Sequence, residues 1–444
     1  MKKIIINGKN ELNGTIRISG AKNAAVAIIP AAILTDEEAT ICNVPEISDI
    51  DSLEEILSFL NIDVKRATES MIINPKNMEN KVIPTEISSK LRASYYFMGA
   101  LLAKYKYVEM YFPGGCKIGS RPINLHLEGF KKLGATVEEE NDKYIIKADK
   151  LKGAQMYLDV ASVGATINIM LAATKAEGTT IIENAAREPE IVNVATFLNN
   201  MGAKIVGAGT SVIKIKGVKK LTKGFAEIIP DRIEAGTYTI IGALLGNPLK
   251  ISNIIPEHIE ALTSKLKEAG ADIEIEEDSI ICKKVDNLKP VNIKTYYYPG
   301  FATDLQQPFS VLLTQCKGKS QIEETIYENR YMHVEYLNKM GANIETNDRI
   351  AKINGKTELK GEEVIATDLR AGAALVIAGL IAEGKTTINK VEHILRGYEG
   401  IIEKLSNVGA DIKIEEKTVN SFWKCLKKIW TLAGKYSRFL FVIL

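Results

Sequence analysis

The fold is decided by a segment in which an apolar helix, a strand and a one-faced helix follow one another. It contains Ala165-Thr-Ile-Asn-Ile-Met-Leu-Ala-Ala173, then Thr180-Ile-Ile-Glu183, and then Val194-Ala-Thr-Phe-Leu-Asn-Asn-Met-Gly-Ala203. The first stretch is apolar nearly all round, which predicts a helix that is buried on every side. In the last stretch apolar residues recur every three or four positions, which predicts a helix with one buried face.

The same plan recurs along the chain. Gly-Ala pairs end the one-faced helices at Gly134, Gly202, Gly270, Gly341 and Gly409, and a less typical first copy ends at Leu60-Asn-Ile62. The number of residues between successive Gly-Ala pairs is nearly constant. Glycine adopts the left-handed conformation of a helix C-cap without a steric cost. Because a fixed period indicates a repeat architecture, the sequence predicts six repeats.

The burial pattern predicts an α/β fold in which sheets enclose helices. Strands such as Thr180–Glu183 and Thr387–Asn389 alternate or are β-branched, as expected of outer walls. Copies one to three end near Lys216 and copies four to six begin near Asp231, so we expect a hinge within 219–230. The prediction is a two-lobed inside-out α/β barrel of six βαβαββ-type repeats, three per lobe, with a ligand cleft between the lobes.

Composition excludes several classes of function. The chain has 444 residues, of which 46% are hydrophobic and 25% charged, and its net charge of +2 indicates no nucleic-acid partner. Five cysteines without a C-x-x-C pair and four scattered histidines predict a reduced, cytoplasmic setting and no metal site. No apolar run is long enough for a membrane span, and the start is too short an apolar run for a signal peptide.

The stretch Phe112-Pro-Gly-Gly-Cys116-Lys-Ile-Gly-Ser-Arg121-Pro122 is predicted to be a loop, because proline and glycine interrupt helix and strand alike. Lys117 is next to the thiol of Cys116 and Arg121 lies five residues further on, and nearby cations favour the thiolate. These residues suggest a proton-carrying thiol among phosphate-binding groups. From local composition alone, a surface loop with an incidental cysteine remains an equal alternative.

Further polar residues stand where the six buried helices are predicted to begin. They are Lys22 and Asn23, Arg92, Ser162 with Val163 and Gly164, Asp231 with Arg232, Asp304, and Asp368 with Arg370. Helix N-termini favour anions through their free N–H groups and the helix dipole. Ordinary helix caps are the alternative, although arginine is not a preferred N-cap residue.

The chain to about residue 417 resembles the enolpyruvyl transferases. The stretches that carry the resemblance are Gly20-Ala-Lys-Asn23, Leu91-Arg-Ala-Ser94, Pro113-Gly-Gly-Cys-Lys-Ile-Gly-Ser-Arg-Pro122, Ser162-Val-Gly-Ala-Thr166, Glu183-Asn-Ala-Ala-Arg-Glu-Pro-Glu190, Pro230-Asp-Arg-Ile-Glu234, Pro299-Gly-Phe-Ala-Thr-Asp304, Glu328-Asn-Arg-Tyr-Met-His333, Thr367-Asp-Leu-Arg370 and Arg396-Gly-Tyr398. So many matches in order are far more specific than any single motif. The resemblance implies a first lobe of residues 21–229 and a second lobe of residues 1–20 and 230–417.

The resemblance is greatest to members that act on UDP-N-acetylglucosamine in peptidoglycan synthesis, and it implies that reaction. The 3-hydroxyl of the sugar attacks C2 of phosphoenolpyruvate while C3 takes a proton, and the tetrahedral intermediate then loses phosphate and a C3 proton. Cys116 matches the general acid, Asp304 is the candidate base, and Lys22 and Arg396 match catalytic positions in the phosphate clamp. The resemblance implies no metal or organic cofactor.

The resemblance also implies a larger set of substrate-binding residues. Arg121 matches the third member of the phosphate clamp, Arg92 matches a nucleotide and phosphate contact, and His126 matches a residue that lines the site. The implied substrate-binding residues are Lys22, Asn23, Arg92, Arg121, Pro122, Ile123, Asn124, Leu125, His126, Ser162, Val163, Gly164, Asp304, Ile326, Arg330, Asp368, Arg370 and Arg396. Taken alone, His126 is more often a packed or solvated histidine.

The chain departs from the family pattern in two places. Some members carry a lysine two positions before the Ser-Val-Gly stretch, where this chain has Val160, so one diphosphate contact is expected to be missing. Residues 418–444 form an atypical C-terminal extension that includes both tryptophans. The extension is either incidental or a weak membrane-surface contact through an amphipathic, lysine-bearing helix.

Two other functions remain as alternatives. A shikimate 3-phosphate enolpyruvyl transferase would run the same chemistry, but that relative lacks the Pro-Gly-Gly-Cys loop. A non-catalytic scaffold that binds sugar nucleotide would not need the intact set Lys22, Cys116, Asp304 and Arg396.

Overall fold

A computed structural model describes residues 2–112 and 123–416. The first part of the chain forms β1 Lys2–Asn7, β2 Leu12–Arg17, α1 Lys22–Ala31, β3 Ala39–Cys42, α2 Ser48–Phe59, β4 Asp63–Ala67, β5 Ser70–Asn74, α3 Thr85–Ser88, α4 Tyr96–Tyr105, β6 Tyr107–Tyr111, α5 Asn124–Lys132, β7 Thr136–Glu140, β8 Lys143–Lys147, β9 Gln155–Tyr157, α6 Val163–Ala173, β10 Thr179–Glu183, α7 Pro189–Asn200, β11 Lys204–Val206, β12 Val212–Lys216 and β13 Gly224–Glu227.

The remaining part forms α8 Arg232–Leu245, β14 Gly246–Ser252, α9 Glu260–Glu268, β15 Asp272–Ile275, β16 Ser279–Lys283, β17 Ile293–Lys294, α10 Thr303–Thr314, β18 Gly318–Glu323, α11 Val334–Lys339, β19 Ile344–Asn347, β20 Ile350–Gly355, β21 Glu363–Ile365, α12 Leu369–Ile381, β22 Lys385–Asn389, α13 Glu392–Leu395, α14 Ile401–Asn407 and β23 Asp411–Glu416. Short 3-10 helices lie at Ala32–Leu34, Pro75–Asn77, Arg92–Tyr95 and Pro256–Ile259.

Each group of three sheets encloses three buried helices. The helices α1, α4 and α6 pack together in one group, and α8, α10 and α12 pack together in the other. In α6 every residue from Gly164 to Ala173 is buried, as the unbroken apolar sequence predicts. The predicted inside-out α/β arrangement is therefore found. Within the described residues the six sheets stay separate, so each lobe is a three-sided enclosure rather than one closed barrel.

The third repeat shows the predicted βαβαββ order, from β9 to β12. Its sheet has the order β11-β12-β10-β9, with β9 parallel to β10 and the other neighbours antiparallel. All five glycines of the Gly-Ala pairs have positive φ, between +83° and +106°. Only glycine adopts this conformation without strain, which is why each one-faced helix ends there.

Two repeats are completed by strands from distant parts of the sequence. The strand β2 pairs in parallel with β14, and β1 lies between β22 and β23 in its sheet. Gly14 lies inside β2, and the turn between the first two strands falls between Asn7 and Leu12. The turn is placed there because β1 and β2 belong to two different sheets.

The connection between the lobes is shorter than expected. The predicted hinge 219–230 contains β13, which pairs in parallel with β3 and completes the first sheet. Within residues 2–112 and 123–416 the chain crosses between the lobes at Gly20 and Pro230, which form an antiparallel bridge. The N–H of Ala21 donates to the carbonyl of Ile229 at 2.7 Å, so the two crossings lie side by side.

The hydrophobic core lies in two clusters. One contains buried residues between Ala21 and Ile228, and the other contains residues from Ile4 to Ile18 and from Ile233 to Ile412. The boundaries predicted for the lobes, 21–229 and 1–20 with 230–417, remain a proposal that these clusters support. The extension 418–444 lies outside the described residues.

Candidate active site

A cleft of about 720 Å³ lies between the two lobes. The first lobe contributes the beginnings of α1 and α6, and the second lobe contributes the beginnings of α10 and α12. The site residues predicted from the sequence that line this cleft are Lys22, Asn23, Arg92, Asn124, Leu125, His126, Ser162, Val163, Gly164, Asp304, Ile326, Arg330, Asp368, Arg370 and Arg396. The fold thus brings together residues from distant parts of the sequence.

Four predicted site residues are not in that set. Ile123 is buried at 6% exposure just before α5 and does not line the cleft. Cys116, Arg121 and Pro122 lie outside the described residues.

A carboxylate at the cleft joins two of the predicted catalytic cations. Oδ2 of Asp49 lies 2.7 Å from Nζ of Lys22, and Nε of Arg396 donates to Oδ1 of Asp49 at 2.7 Å. The side chain of Asp49 is only 2% exposed. Because Asp49 and Lys22 belong to the first lobe and Arg396 to the second, this ion triad spans the gap between the lobes.

Asp304 lies in the first turn of α10 and is held by two guanidinium groups. Arg330 donates to Oδ1, and Nε of Arg370 donates to Oδ2 at 3.0 Å. Burial alone would raise the pKa of Asp304, but the charges of Arg370 and Arg330 outweigh burial and hold the pKa well below its usual range. The carboxylate is therefore ionised at any physiological pH.

Some of the predicted helix-start residues are caps and others are not. The hydroxyl of Ser162 accepts from the N–H of Ala165, and Asp231 caps α8. Asp368 caps α12 by accepting from the N–H groups of Arg370 and Ala371. The side chain of Asp304 makes no such cap, since α10 begins after Ala302 and the carboxylate points to arginines instead.

His126 lies in α5 and is 4% exposed in the wall of the cleft. Its ring makes an edge contact with Tyr95, with 4.7 Å between the centroids. Burial, and after it the charge of Arg92, lowers the pKa of His126 to about 3. The histidine is therefore a neutral group in this structure.

The sequence analysis did not include several charged residues that line the cleft among the substrate-binding residues. Nε of Arg232 donates to Glu190 at 3.0 Å, and the guanidinium lies 5.5 Å from the ring centroid of Tyr298. Glu190 is in the first lobe and Arg232 in the second, so this pair also bridges the lobes. Burial raises the pKa of the neighbouring Glu188, against the opposing charge of Arg232. The signals in the sequence were that these residues fall within the stretches that resemble the enolpyruvyl transferases and that Arg232 stands at a predicted helix start.

Two negative findings concern the described residues alone. Within residues 2–112 and 123–416 no group of three or more histidine, cysteine, aspartate or glutamate side chains is placed to hold a metal ion. In the same ranges no helix has the length and apolar character needed to cross a bilayer.

The fold and the cleft define a class of protein. A family model described as EPSP synthase (3-phosphoshikimate 1-carboxyvinyltransferase) matches residues 6–405. The fold is also that of the enolpyruvyl transferase NikO from Streptomyces tendae, with a TM-score of 0.85 and 24% identity over 93% of this chain and 98% of that one. For EPSP synthase from Acinetobacter baumannii the TM-score is 0.72, with 17% identity over 94% of this chain and all of that one. The chain belongs to the enolpyruvyl transferase family.

Relatives with a higher sequence identity to this chain carry a more specific name within the family. The chain is 53% identical to UDP-N-acetylglucosamine 1-carboxyvinyltransferase 2 of Listeria monocytogenes, over 92% of this chain and 97% of that protein. It is 52% identical to the protein of the same name from Bacillus subtilis, over 94% of this chain and 98% of that protein. The resemblance to the enolpyruvyl transferases stated from the sequence is confirmed.

Proposed function

We propose that the protein transfers the enolpyruvyl group of phosphoenolpyruvate to the 3-hydroxyl of UDP-N-acetylglucosamine and releases phosphate. The observation that carries the proposal is the cleft, where cations from both lobes surround a space large enough for two small molecules. Lys22, Arg92, Arg330, Arg370 and Arg396 all line it. The relatives named above support this choice of acceptor, which would make the reaction the first committed step of peptidoglycan synthesis.

The cations have a clear task in this reaction. Phosphoenolpyruvate carries a phosphate and a carboxylate, and both anions must be held while C2 is attacked. Lys22 and Arg396 lie on either side of Asp49, so a phosphate between the lobes would meet both of them. Guanidinium groups suit planar and tetrahedral oxyanions because their donors are forked. We assign Lys22, Arg396 and Arg121 to the phosphate.

Asp304 is assigned to the sugar hydroxyl. Its two arginine partners lower its basicity, so a complete proton abstraction before attack would be unfavourable. The carboxylate can instead orient the hydroxyl by accepting its hydrogen bond. It then takes the proton as the new C–O bond forms and the hydroxyl oxygen loses electron density.

Cys116 is assigned to C3 of phosphoenolpyruvate. The addition step needs a proton at C3 and the elimination step removes one, so one group that first donates and then accepts serves both. Lys117 and Arg121 follow the thiol in the sequence, and nearby cations favour the thiolate that is left after the proton is donated. The position of Cys116 lies outside the described residues, and the assignment rests on the sequence.

The sugar nucleotide is assigned to the face of the cleft formed by α1, α5 and α6, together with Ile326. The N-terminus of α6, with Ser162, Val163 and Gly164, offers backbone N–H groups to a diphosphate. We place the reaction in the cytoplasm, which the cysteine pattern supports. A weak surface contact by the extension 418–444 remains a prediction.

One assay separates the proposal from its alternatives. Phosphate release from phosphoenolpyruvate is measured with UDP-N-acetylglucosamine, with shikimate 3-phosphate, and with neither. We expect release only with the sugar nucleotide. Release with shikimate 3-phosphate would favour the related activity, and no release in the presence of tight sugar-nucleotide binding would favour a non-catalytic scaffold.

The role of Cys116 is tested in the same assay. Cys116→Ala should abolish turnover, and Cys116→Asp should keep part of it, because bound anions raise the pKa of an aspartate and allow it to carry a proton. General acid catalysis is worth about 10² to 10⁴ in rate. A near-normal rate in the alanine variant would remove Cys116 from the mechanism.

A further inference from the structure

The orientation of one buried amide fixes the state of a histidine in the cleft. Asn168 lies in α6 at 0% exposure, between α4 and α5. The N–H of Gly99 donates to its Oδ1 at 2.8 Å. A backbone N–H can only donate, so the amide oxygen must face Gly99 and the amide nitrogen must face the other way.

The amide nitrogen has two protons and two acceptors. Nδ2 of Asn168 donates to the carbonyl of Tyr95 at 2.9 Å and lies 2.9 Å from Nδ1 of His126. Because Nδ2 is a donor, Nδ1 of His126 must be the acceptor. The imidazole then carries its proton on Nε2.

The protonated nitrogen lies at the wall of the cleft. A Cβ added to Gly164 would be 3.0 Å from Nε2 of His126 and 2.9 Å from its Cε1, so this edge of the ring touches the first turn of α6. An N–H donor therefore stands beside the helix N-terminus that we assign to the diphosphate. Ser162 and Gly164 line the same part of the cleft.

We propose that Asn168 is a positioning residue that holds His126 as the neutral imidazole with its proton on Nε2, so that the ring donates a hydrogen bond to a phosphate oxygen of the sugar nucleotide. The inference rests on the proposed function for the identity of that ligand, but the state of the histidine does not depend on it. An imidazolium would need a proton on Nδ1, where the amide protons of Asn168 already point. The site thus supplies a hydrogen-bond donor that carries no positive charge.

The surroundings of His126 agree with a neutral ring. The guanidinium of Arg92 and the phenol of Tyr95 face it. The helix α6 on its other side contains no ionisable residue. On α5 itself, Glu128 pairs with Lys131 at the surface. Burial and Arg92 both oppose protonation, so we expect the ring to stay neutral from pH 6 to 8.

The first test is spectroscopic and needs no activity. In protein labelled with ¹⁵N-histidine, two-bond proton–nitrogen correlations report which ring nitrogen is protonated, and the signals of His126 are assigned with His126→Gln. We expect protonation at Nε2 alone at pH 7. A ring protonated at Nδ1, or at both nitrogens, would overturn the proposal.

The second test uses Asn168→Asp, which keeps an acceptor for Gly99 but places an acceptor against Nδ1 of His126. We expect the ring to become protonated at Nδ1 and the dissociation constant for UDP-N-acetylglucosamine to change about tenfold or more and to vary between pH 6 and 8. The matched control is Asn199→Asp, because Asn199 also exchanges side-chain hydrogen bonds with a backbone N–H and carbonyl in the same lobe, both at 2.9 Å. An unchanged tautomer and affinity in folded Asn168→Asp would refute the proposal.

A double-mutant cycle separates positioning from a structural role. The side chain of glutamine can place an N–H near the position of Nε2, so His126→Gln should retain part of the affinity. If Asn168 acts through the ring, Asn168→Asp should cost little more in the His126→Gln background. An equal loss in both backgrounds would show that Asn168 only supports the fold.

Discussion

The prediction that tests the contact between the lobes most directly is Asp49→Asn. The substitution keeps the size of the side chain but removes the charge that Lys22 and Arg396 share at 2.7 Å each. Arg396 then loses its ion pair with Asp49 in the other lobe. We expect the ligand-free protein to open, which should appear as a larger radius of gyration in small-angle X-ray scattering.

The magnitude follows from burial. Hydrogen bonds to charged groups contribute about 1.5–3 kcal/mol, whereas exposed ion pairs contribute about 0.2–1 kcal/mol. The side chain of Asp49 is 2% exposed but those of Lys22 and Arg396 are 15% and 22% exposed, so we take a value of about 2 kcal/mol. If closure of the lobes is coupled to binding, a loss of about 2 kcal/mol raises the dissociation constant for UDP-N-acetylglucosamine by up to about 30-fold.

The assay must avoid phosphoenolpyruvate, because two cations without Asp49 would attract its phosphate more strongly and mask the loss of closure. Isothermal titration with the sugar nucleotide alone meets this condition. The control is Asp51→Asn on the same helix, since Asp51 is 64% exposed and pairs with Arg66 at the surface. It should change the dissociation constant less than about fivefold. Equal scattering and equal affinity in the two variants would refute the reasoning.

Three further results are expected. Because the pKa of Asp304 is depressed in the folded protein, its carboxylate stabilises the fold above the unfolded-state pKa of about 3.9. This stabilisation should be lost as the pH falls below that value. The free energy of urea unfolding should therefore fall less steeply between pH 7 and 3 in Asp304→Asn than in the wild type. Gly99→Ala should destabilise the first lobe by about 3 kcal/mol in thermal unfolding, because the new Cβ would lie 2.3 Å from Oδ1 of Asn168. The control is Gly178→Ala, whose Cβ enters open space among the described residues. It should cost about 1 kcal/mol. Deleting residues 421–444 should leave turnover unchanged, because every assigned site residue precedes the deletion; a folded but inactive truncation would show the opposite.

The sequence predicts the repeats well because their signals are local. The apolar run of α6 and the glycine at Gly202 act within a few residues, and both determine their elements whatever the rest of the chain does. The hinge was predicted too long because the strand within it depends on a partner that is distant in the sequence. The segment Gly224–Glu227 has little strand character by itself and becomes a strand only beside β3, which comes from the beginning of the first lobe.

In the site, too, some features could be predicted from the sequence and others depend on contacts between distant residues. The positions of Lys22 and Arg396 followed from the resemblance to a family, but the role of Asp49 did not. An acidic residue in the first turn of a helix is an ordinary feature, and nothing in its neighbourhood indicates a partner in the last repeat of the chain. The tautomer of His126 likewise depends on Asn168 and Gly99, which meet only in the folded core.

The pairing of the first strands with the last has a consequence for synthesis on the ribosome. Lys2 pairs with Glu416 across the sheet of β1 and β23, so β1 leaves the ribosome long before the strand that it pairs with is made. The first lobe needs no such partner, since its sheets in the described part of the chain use the strands from β3 to β13. Vectorial synthesis therefore favours folding of the first lobe while the strands β1 and β2 are still unpaired. At about 5–20 residues per second this interval lasts roughly 20 to 80 seconds, during which an apolar Ile4-Ile-Ile6 segment is exposed to chaperones and to aggregation.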